Sequence, residues 1–273
     1  MTEKKQTAPA SGLLAERTAF KPFAYPWAYE AFMQSEQMHW LWTEVPMMED
    51  VKDYRSKLTD DEREFLTKIL RFFTQGDIDV SGAYVNVYLP RFRQPEIRMM
   101  LSSFAAREAV HIAAYSHLIE TLGLPESIYN EFMEYEAMAA KHDFFREVEK
   151  DDRDLPAQIA AFSAFTEGMQ LFSSFVMLLN FTRKGTMKGM GQIIAWSIAD
   201  ETLHTESMTK IFREYVKENP EVWTDDLKRK IYEIAETMVT LEDRFIELAF
   251  GVTDMKRLTK DEVRAYIRYI ADR

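Results

Sequence analysis

The chain has 273 residues, of which 47% are hydrophobic, and this is enough for one large folded core. Its formal net charge of −11 argues against non-specific binding to nucleic acid or to an anionic membrane surface. The sequence contains no cysteine, which excludes disulfides, thiolate metal sites and thiol catalysis within the chain.

No part of the sequence has the pattern of a membrane or targeting segment. We find no uninterrupted apolar run of about 18 residues, so we predict no membrane-spanning helix. The first residues are polar, unlike the apolar core of a signal sequence. Because a chain without cysteine also fits a reducing compartment, we expect a cytoplasmic protein.

The low content of glycine and proline, nine residues of each, favours long uninterrupted helices. We expect residues 1–20 to form a flexible N-terminal arm and residues 21–273 to form a single helical domain. A short aromatic helix is predicted over residues 21–33, and an irregular segment over 39–48. Thr59 and Glu62 form a capping box, which predicts a long helix that ends near Pro90.

The remaining helices are bounded by proline, glycine and capping residues. They are predicted over the approximate ranges 95–123, 125–145, 156–182, 187–217, 224–250 and 259–273, with a charged link over 147–154. We find no convincing strand. The fold class is therefore predicted to be all-α, a bundle of six or more long helices.

Two of these helices carry a Glu-x-x-His pattern, at Glu108 with His111 and at Glu201 with His204. Residues three apart share a helix face, and apolar residues continue both stripes, so we expect each pair to point into the core. Buried charges are costly unless they are paired or bound to metal. A third Glu-x-x-His, over 36–39, shows that the pattern alone is a weak signal.

An inward carboxylate on the preceding helix distinguishes the two pairs from the third. Asp77 lies 31 residues before Glu108, and Glu167 lies 34 residues before Glu201. Asp79 is a rival to Asp77, but it falls off the apolar stripe of its helix. The chain therefore contains the same unit twice: a helix with one carboxylate, a turn, and a helix with Glu-x-x-His.

Four carboxylates and two imidazoles suit a pair of iron or manganese ions. Four helices that supply them in this way have the arrangement of ferritin-like dimetal-carboxylate bundles, with the metal site in a four-helix core. A lone buried histidine is more often a core residue, and we interpret His117 and His142 as surface or packing residues. Tyr115 lies one turn after His111, and its spacing fits a core phenol and a functional group equally well.

These residues resemble the small, radical-generating subunit of class I ribonucleotide reductase. The resemblance covers about residues 20–273, and the matching segments are 40–47, 72–77, 107–111, 165–168 and 199–204, together with Tyr115. The resemblance implies one metal held by Asp77, Glu108 and His111. It implies a second metal held by Glu167, Glu201 and His204.

The resemblance also implies roles for residues outside the metal ligands. Tyr115 matches the tyrosine that carries the stable radical in most members, and Trp40 and Asp200, with His111, match the start of the radical-transfer route. Trp42 is an alternative to Trp40. Some members replace the tyrosine and store the oxidising equivalent in the metals, and this option stays open here.

The implied partners are a second copy of the chain, in a homodimer, and a large catalytic subunit that reduces ribonucleotides to deoxyribonucleotides. Family members usually continue into a flexible tail that docks on the large subunit. This sequence stops at Arg273, so either it is truncated or the lineage lacks the tail. The alternatives are a ferritin-like dimetal oxidase that acts on a small apolar substrate, and a ferroxidase shell. The sequence does not distinguish iron from manganese, nor does it identify the activating oxidant.

Overall fold

The computed structural model describes residues 12–150, 154–251 and 255–273. Over these ranges the backbone is helical, and the β contacts amount to one isolated bridge between Met255 and Leu258. The predicted all-α fold class is confirmed.

Nine long helices follow one another in the described part of the chain. In chain order they are α1 Pro26–Gln37, α2 Met48–Ser56, α3 Asp60–Gly82, α4 Pro95–Leu122, α5 Glu136–Lys150, α6 Leu155–Arg183, α7 Lys188–Glu218, α8 Asp225–Phe250 and α9 Lys260–Ala271. Two stretches are π-helical: Ala83–Tyr88 continues α3 as far as a last turn at Leu89–Arg91, and Ala161–Gln170 forms the middle of α6.

The predicted caps explain where several helices begin and end. Thr59 accepts a hydrogen bond from the backbone N–H of Glu62 at 3.2 Å, and the Glu62 carboxylate accepts one from the Thr59 N–H at 3.1 Å. Thr224 accepts from the Leu227 N–H at 3.2 Å at the start of α8. Gly123 ends α4 in the left-handed conformation, with φ of 75°.

Two predicted segments differ from the structure. The helix predicted over 125–145 begins only at Glu136, because the residues before it form two short 3₁₀ turns that bury Ile128 and Phe132. Their spacing of four residues imitates a helix stripe. The segment predicted to be irregular is followed by α2, Met48–Ser56, which has too few apolar residues for its periodicity to show in the sequence.

One helix in the described part of the chain is long and apolar enough to cross a membrane by length and composition alone, so the predicted absence of a membrane-spanning helix stays a prediction. Helix α6, Leu155–Arg183, passes that test by length and composition, and 72% of its apolar window is buried inside the protein. A helix that is surrounded by other helices carries apolar side chains on all its faces, which accounts for this composition.

Four helices form the centre of the bundle. Helix α3 packs against α4, and α6 packs against α7. Their buried apolar residues belong to two clusters, one that contains Phe73 and Tyr115 and another that contains Tyr84, Phe104 and Phe162. Buried carboxylates and histidines lie between the two clusters, at mid-height of the four helices.

The described part of the predicted N-terminal arm contacts the bundle. Leu13 is buried, its N–H donates to Glu218 Oε2 at 2.8 Å, and Gln94 donates to the Gly12 carbonyl at 2.8 Å. The first eleven residues of the arm lie outside the described residues. The division into an arm and one domain therefore stays a prediction.

Candidate dimetal centre

The six predicted metal ligands converge at the centre of α3, α4, α6 and α7. Each is 2% exposed or less: Asp77, Glu108, His111, Glu167, Glu201 and His204. Because charged side chains are seldom fully buried without a partner, this concentration of titratable groups needs a chemical explanation.

Helices α4 and α7 meet through their Glu-x-x-His pairs. His111 Nδ1 lies 3.4 Å from Glu108 Oε2 on its own helix and 3.1 Å from Glu201 Oε1 on α7. His204 Nδ1 lies 3.3 Å from Glu201 Oε2 and 3.1 Å from Glu108 Oε1 on α4. Each imidazole thus faces carboxylates of both helices.

Glu167 joins this group from the π-helical middle of α6. Its Oε1 lies 3.5 Å from His204 Nδ1, and donor atoms of Glu108, Glu167, Glu201 and His204 all lie within 4.8 Å of one another. Asp77 stands beside them on α3, where the charges of His111, Glu108 and Glu201 act on its carboxyl group. The structure therefore brings together all six residues that the sequence singled out.

Asp79, the rival to Asp77, has other partners. Its Oδ2 lies 2.6 Å from His142 Nδ1, and its Oδ1 accepts a hydrogen bond from Gln75 at 3.1 Å. The interpretation of His142 as a packing residue is consistent with this pair, which is mostly buried.

The donor set fits a pair of cations. Several buried ligand atoms make no hydrogen bond of normal geometry in the described structure, although His204 Nδ1 lies 3.1 Å from Glu108 Oε1: Asp77 Oδ2, Glu108 Oε1 and Oε2, Glu167 Oε2, Glu201 Oε2, and His204 Nδ1 and Nε2. Leaving such atoms unpaired costs about 1–3 kcal/mol each, and more for charged groups. Carboxylate oxygens and imidazole nitrogens are ligands that iron and manganese accept, so two such ions would satisfy these atoms.

Without metal, the cluster holds protons. Burial raises the pKa of Asp77 well above its usual value and the pKa of Glu167 to about 8. Burial alone would lower the pKa of His111 and of His204, but the surrounding carboxylates outweigh it and raise both. Cations that bind here must displace these protons.

A line of contacts leads from His111 away from the cluster. His111 Nε2 lies 3.0 Å from Asp200 Oδ2, and the same oxygen accepts a hydrogen bond from Trp40 Nε1 at 2.9 Å. The Trp40 ring stacks on His111 with centroids 5.8 Å apart, and the Trp196 ring lies 5.3 Å from the Trp40 ring between centroids. Trp42, the alternative to Trp40, makes none of these contacts in the described structure.

Two tyrosines border the cluster. The Tyr115 hydroxyl lies 3.4 Å from Ser197 Oγ, and its ring stacks on Phe73 with centroids 4.3 Å apart. Burial, with the charge of Asp77, raises the pKa of Tyr115. On the other side, Tyr84 donates a 2.6 Å hydrogen bond to Glu167 Oε1, a contact that the sequence reasoning missed.

In the sequence, Tyr84 stands among the apolar residues of its helix face and shows no sign of a separate role. The signal that would have distinguished it is its position seven residues after Asp77, two helical turns along the same inward face. A phenol among apolar residues is common in protein cores, so this signal is weak without the fold.

Comparison with known proteins identifies the family. The family model of the ribonucleotide reductase small chain matches residues 17–273. The chain belongs to the ribonucleotide reductase small-subunit family. It is 50% identical to the probable ribonucleoside-diphosphate reductase small subunit 048L of Invertebrate iridescent virus 3, over 97% of this chain and 75% of that protein. It is 31% identical to the subunit beta of Chlamydia pneumoniae, over 92% and 77% of the two chains.

Solved structures share the fold of this small subunit. The R2 subunit of ribonucleotide reductase from Clostridium botulinum has a TM-score of 0.89 at 20% identity, over 98% of this chain and 87% of that one. A dimanganese(II) NrdF from Streptococcus sanguinis has a TM-score of 0.83 at 20% identity, over 94% and 89%. The ferritin-like helical architecture is confirmed.

The family defines the general activity. The chain is the small subunit of a ribonucleoside-diphosphate reductase, an oxidoreductase, and a small subunit implies a large-subunit partner. The predicted family, enzyme class and overall function are confirmed.

Proposed function

We propose that this small subunit binds two ions of iron or manganese and generates the oxidant with which its large subunit reduces ribonucleotides. Asp77, Glu108 and His111 would hold one ion, and a second ligand set of Glu167, Glu201 and His204 the other. The observation that carries the proposal is the convergence of buried, unpartnered donor atoms from four helices. Bound ions supply one-electron oxidising chemistry with dioxygen or a reduced oxygen species.

Asp200 orients His111 for this work. With Nε2 of the imidazole directed at Asp200, Nδ1 faces the carboxylate cluster, which is the orientation that a metal ligand needs. The Trp40 N–H shares the same carboxylate oxygen, so indole, carboxylate and imidazole form one hydrogen-bonded line. We propose that radical transfer towards the large subunit begins along this line of three residues. It also argues against a ligand-binding oxidase, which needs no such route.

Metal content and paramagnetic resonance test the proposal directly. Protein purified from cells supplied with iron and manganese should contain two ions per chain, whose identity elemental analysis or anomalous scattering would establish. Aerobic activation should then give a radical or mixed-valent signal. Protein that contains no metal after such preparation would refute the proposed function.

Tyr115 is the proposed radical site. Replacing it with phenylalanine keeps the ring that stacks on Phe73 and removes only the hydroxyl. We expect Tyr115→Phe to bind metal normally, to lose the tyrosyl signal, and to fall to background in nucleotide reduction with the large subunit. Activity that survives in the variant would mean that the metals store the oxidising equivalent.

We also propose that the subunit is a homodimer of the cytoplasm that serves deoxyribonucleotide synthesis for DNA replication. Its dimer face would be the outer surface of α3 and α4, which pack side by side and expose Ile78 (51%), Val85 (50%) and Ile112 (37%). Exposed apolar side chains on adjacent helices favour contact with another protein surface.

Light scattering tests the dimer. The wild-type mass should be near twice the 32.1 kDa of one chain, and Ile78→Lys should shift it towards a monomer, because the ammonium would be desolvated at the interface. Tyr232→Lys, at a residue that is 71% exposed on α8, is the matched control and should stay dimeric. A monomeric wild type, or an Ile78→Lys variant that stays dimeric, would contradict this assignment.

A further inference from the structure

We propose that Tyr84 is a positioning residue that fixes how Glu167 presents its carboxylate to a metal ion, an inference that rests on the dimetal site proposed above. Its hydroxyl donates to Glu167 Oε1 at 2.6 Å, whereas Glu167 Oε2 is buried and has no partner among the described residues. The phenol thus occupies one oxygen, and the other is left for a cation.

The Tyr84 ring is held in place by other aromatic rings. It is fully buried and makes edge-on contacts with Phe162 at 5.0 Å, Phe104 at 6.0 Å and Tyr88 at 6.3 Å between centroids. Edge-to-face packing of this kind is favourable in itself. Because the ring is packed by rings from α3, α4 and α6, the hydroxyl has a fixed direction.

The carboxylate of Glu167 gains from such support. It lies in the π-helical part of α6, and its Oε1 also lies 3.5 Å from His204 Nδ1. A glutamate side chain has several rotatable bonds, whose freedom must be lost when it ligates a metal. A hydrogen bond that already fixes one oxygen reduces that loss and favours ligation through the other.

The two halves of the site are then supported in parallel ways. Asp200 stands behind His111 in one half, and Tyr84 stands behind Glu167 in the other. Groups that orient a ligand in this manner typically change metal affinity by about 10–100-fold when they are removed. Both supporting contacts are buried and direct.

A manganese(II) titration of metal-free protein, followed by calorimetry and by the resonance signal of free manganese, tests the role of Tyr84. Tyr84→Phe should weaken one of the two binding constants by about 10–100-fold and leave the other near its wild-type value. Tyr88→Phe is the matched control, since it also removes a buried hydroxyl from this aromatic cluster. The Tyr88 hydroxyl donates to the Gln158 backbone carbonyl at 3.2 Å and not to a proposed ligand. This variant should bind manganese like the wild type.

Unchanged constants in Tyr84→Phe would overturn the inference, while a wild type that binds no manganese would instead refute the proposed function. Should Tyr84→Phe fail to fold, the test compares Glu167→Ala with the double variant Tyr84→Phe/Glu167→Ala. The alanine removes the carboxylate through which Tyr84 is proposed to act. Glu167→Ala and the double variant should therefore bind the remaining manganese with equal affinity. A further loss in the double variant would show that Tyr84 acts by another route and would also overturn the inference.

Discussion

At the scale of single residues, one carboxylate oxygen of Asp200 contacts both an indole and an imidazole. Oδ2 accepts from Trp40 Nε1 at 2.9 Å and lies 3.0 Å from His111 Nε2, and all three residues are 3% exposed or less. Hydrogen bonds to a charged acceptor are stronger than neutral ones, particularly where water is excluded. The contact therefore holds the indole and the imidazole in a fixed relation.

Replacing Trp40 should separate metal binding from radical transfer. Trp40→Phe keeps a ring beside His111 but loses the N–H that donates to Asp200. We expect normal metal content and normal formation of the oxidised centre by resonance spectroscopy, with nucleotide reduction reduced to background. Trp42→Phe is the control, and it should keep its activity. Equal activities in the two variants would contradict the role given to Trp40.

At the scale of helices, the N-terminus of α7 is capped by another helix. Met187, which precedes α7, has a φ of 52° and gives no side-chain cap. Asp50 on α2 accepts instead from the N–H groups of Gly189 at 2.9 Å and Met190 at 2.7 Å, and Asp53 accepts from the Met187 N–H at 3.0 Å. The first turn of a helix presents unpaired N–H groups that attract carboxylates. Helix α2 therefore anchors the helix that carries two of the six proposed metal ligands, Glu201 and His204.

Gly189 is required by the closeness of this contact. A Cβ atom there would lie 2.8 Å from Met47 Sδ and 3.2 Å from both Asp50 oxygens. We expect Gly189→Ala to destabilise the metal-free protein by about 1–3 kcal/mol in thermal denaturation. Gly82→Ala is the control: its nearest atom would be Asn86 Nδ2 at 3.7 Å, and a helical alanine should stabilise by about 0.4–1 kcal/mol. Equal melting temperatures in the two variants would contradict the close packing.

Local patterns account for what could be predicted from the sequence. Glu108 with His111, and Glu201 with His204, lie on regular helices, where spacing alone determines which side chains share a face. Helix α2 has no such pattern, because its carboxylates cap a helix 139 residues further along the chain. Tyr84 cannot be distinguished from the apolar residues of its helix face by sequence, since a hydroxyl at the end of a ring does not alter hydrophobic periodicity.

At the scale of the whole molecule, the buried cluster makes stability depend on pH in opposite ways with and without metal. The pKa of Glu167 is about 8 in the folded metal-free protein, against an ordinary value of 4.5 in the unfolded chain. Between these values the folded state keeps a proton that the unfolded state has lost. Stability therefore falls as pH rises through this window, by about 1.4 kcal/mol per unit for each such proton.

His111 and His204 act in the same direction, because their pKa values are raised as well. We expect the melting temperature of metal-free protein to fall between about pH 6 and about pH 8. With saturating manganese the trend should reverse, since ligands must lose their protons before they bind. Differential scanning calorimetry measures the melting temperature of the metal-free and the manganese-bound protein across this pH range. Melting temperatures that change with pH in the same direction in both forms would contradict the prediction.

The π-helical middle of α6 has a consequence for chain length. In a π-helix each N–H bonds to the carbonyl five residues back, as Leu171 does to Thr166, so the segment holds an extra residue compared with an α-helix. One residue corresponds to about 100° of rotation around a helix axis. Wound as a regular α-helix, the residues from Ala161 to Glu167 would turn the carboxylate by about 100° away from the cluster, relative to the first turns of α6. The site thus depends on how this helix winds, and an α-helical segment would need one residue fewer to present Glu167 in the same direction.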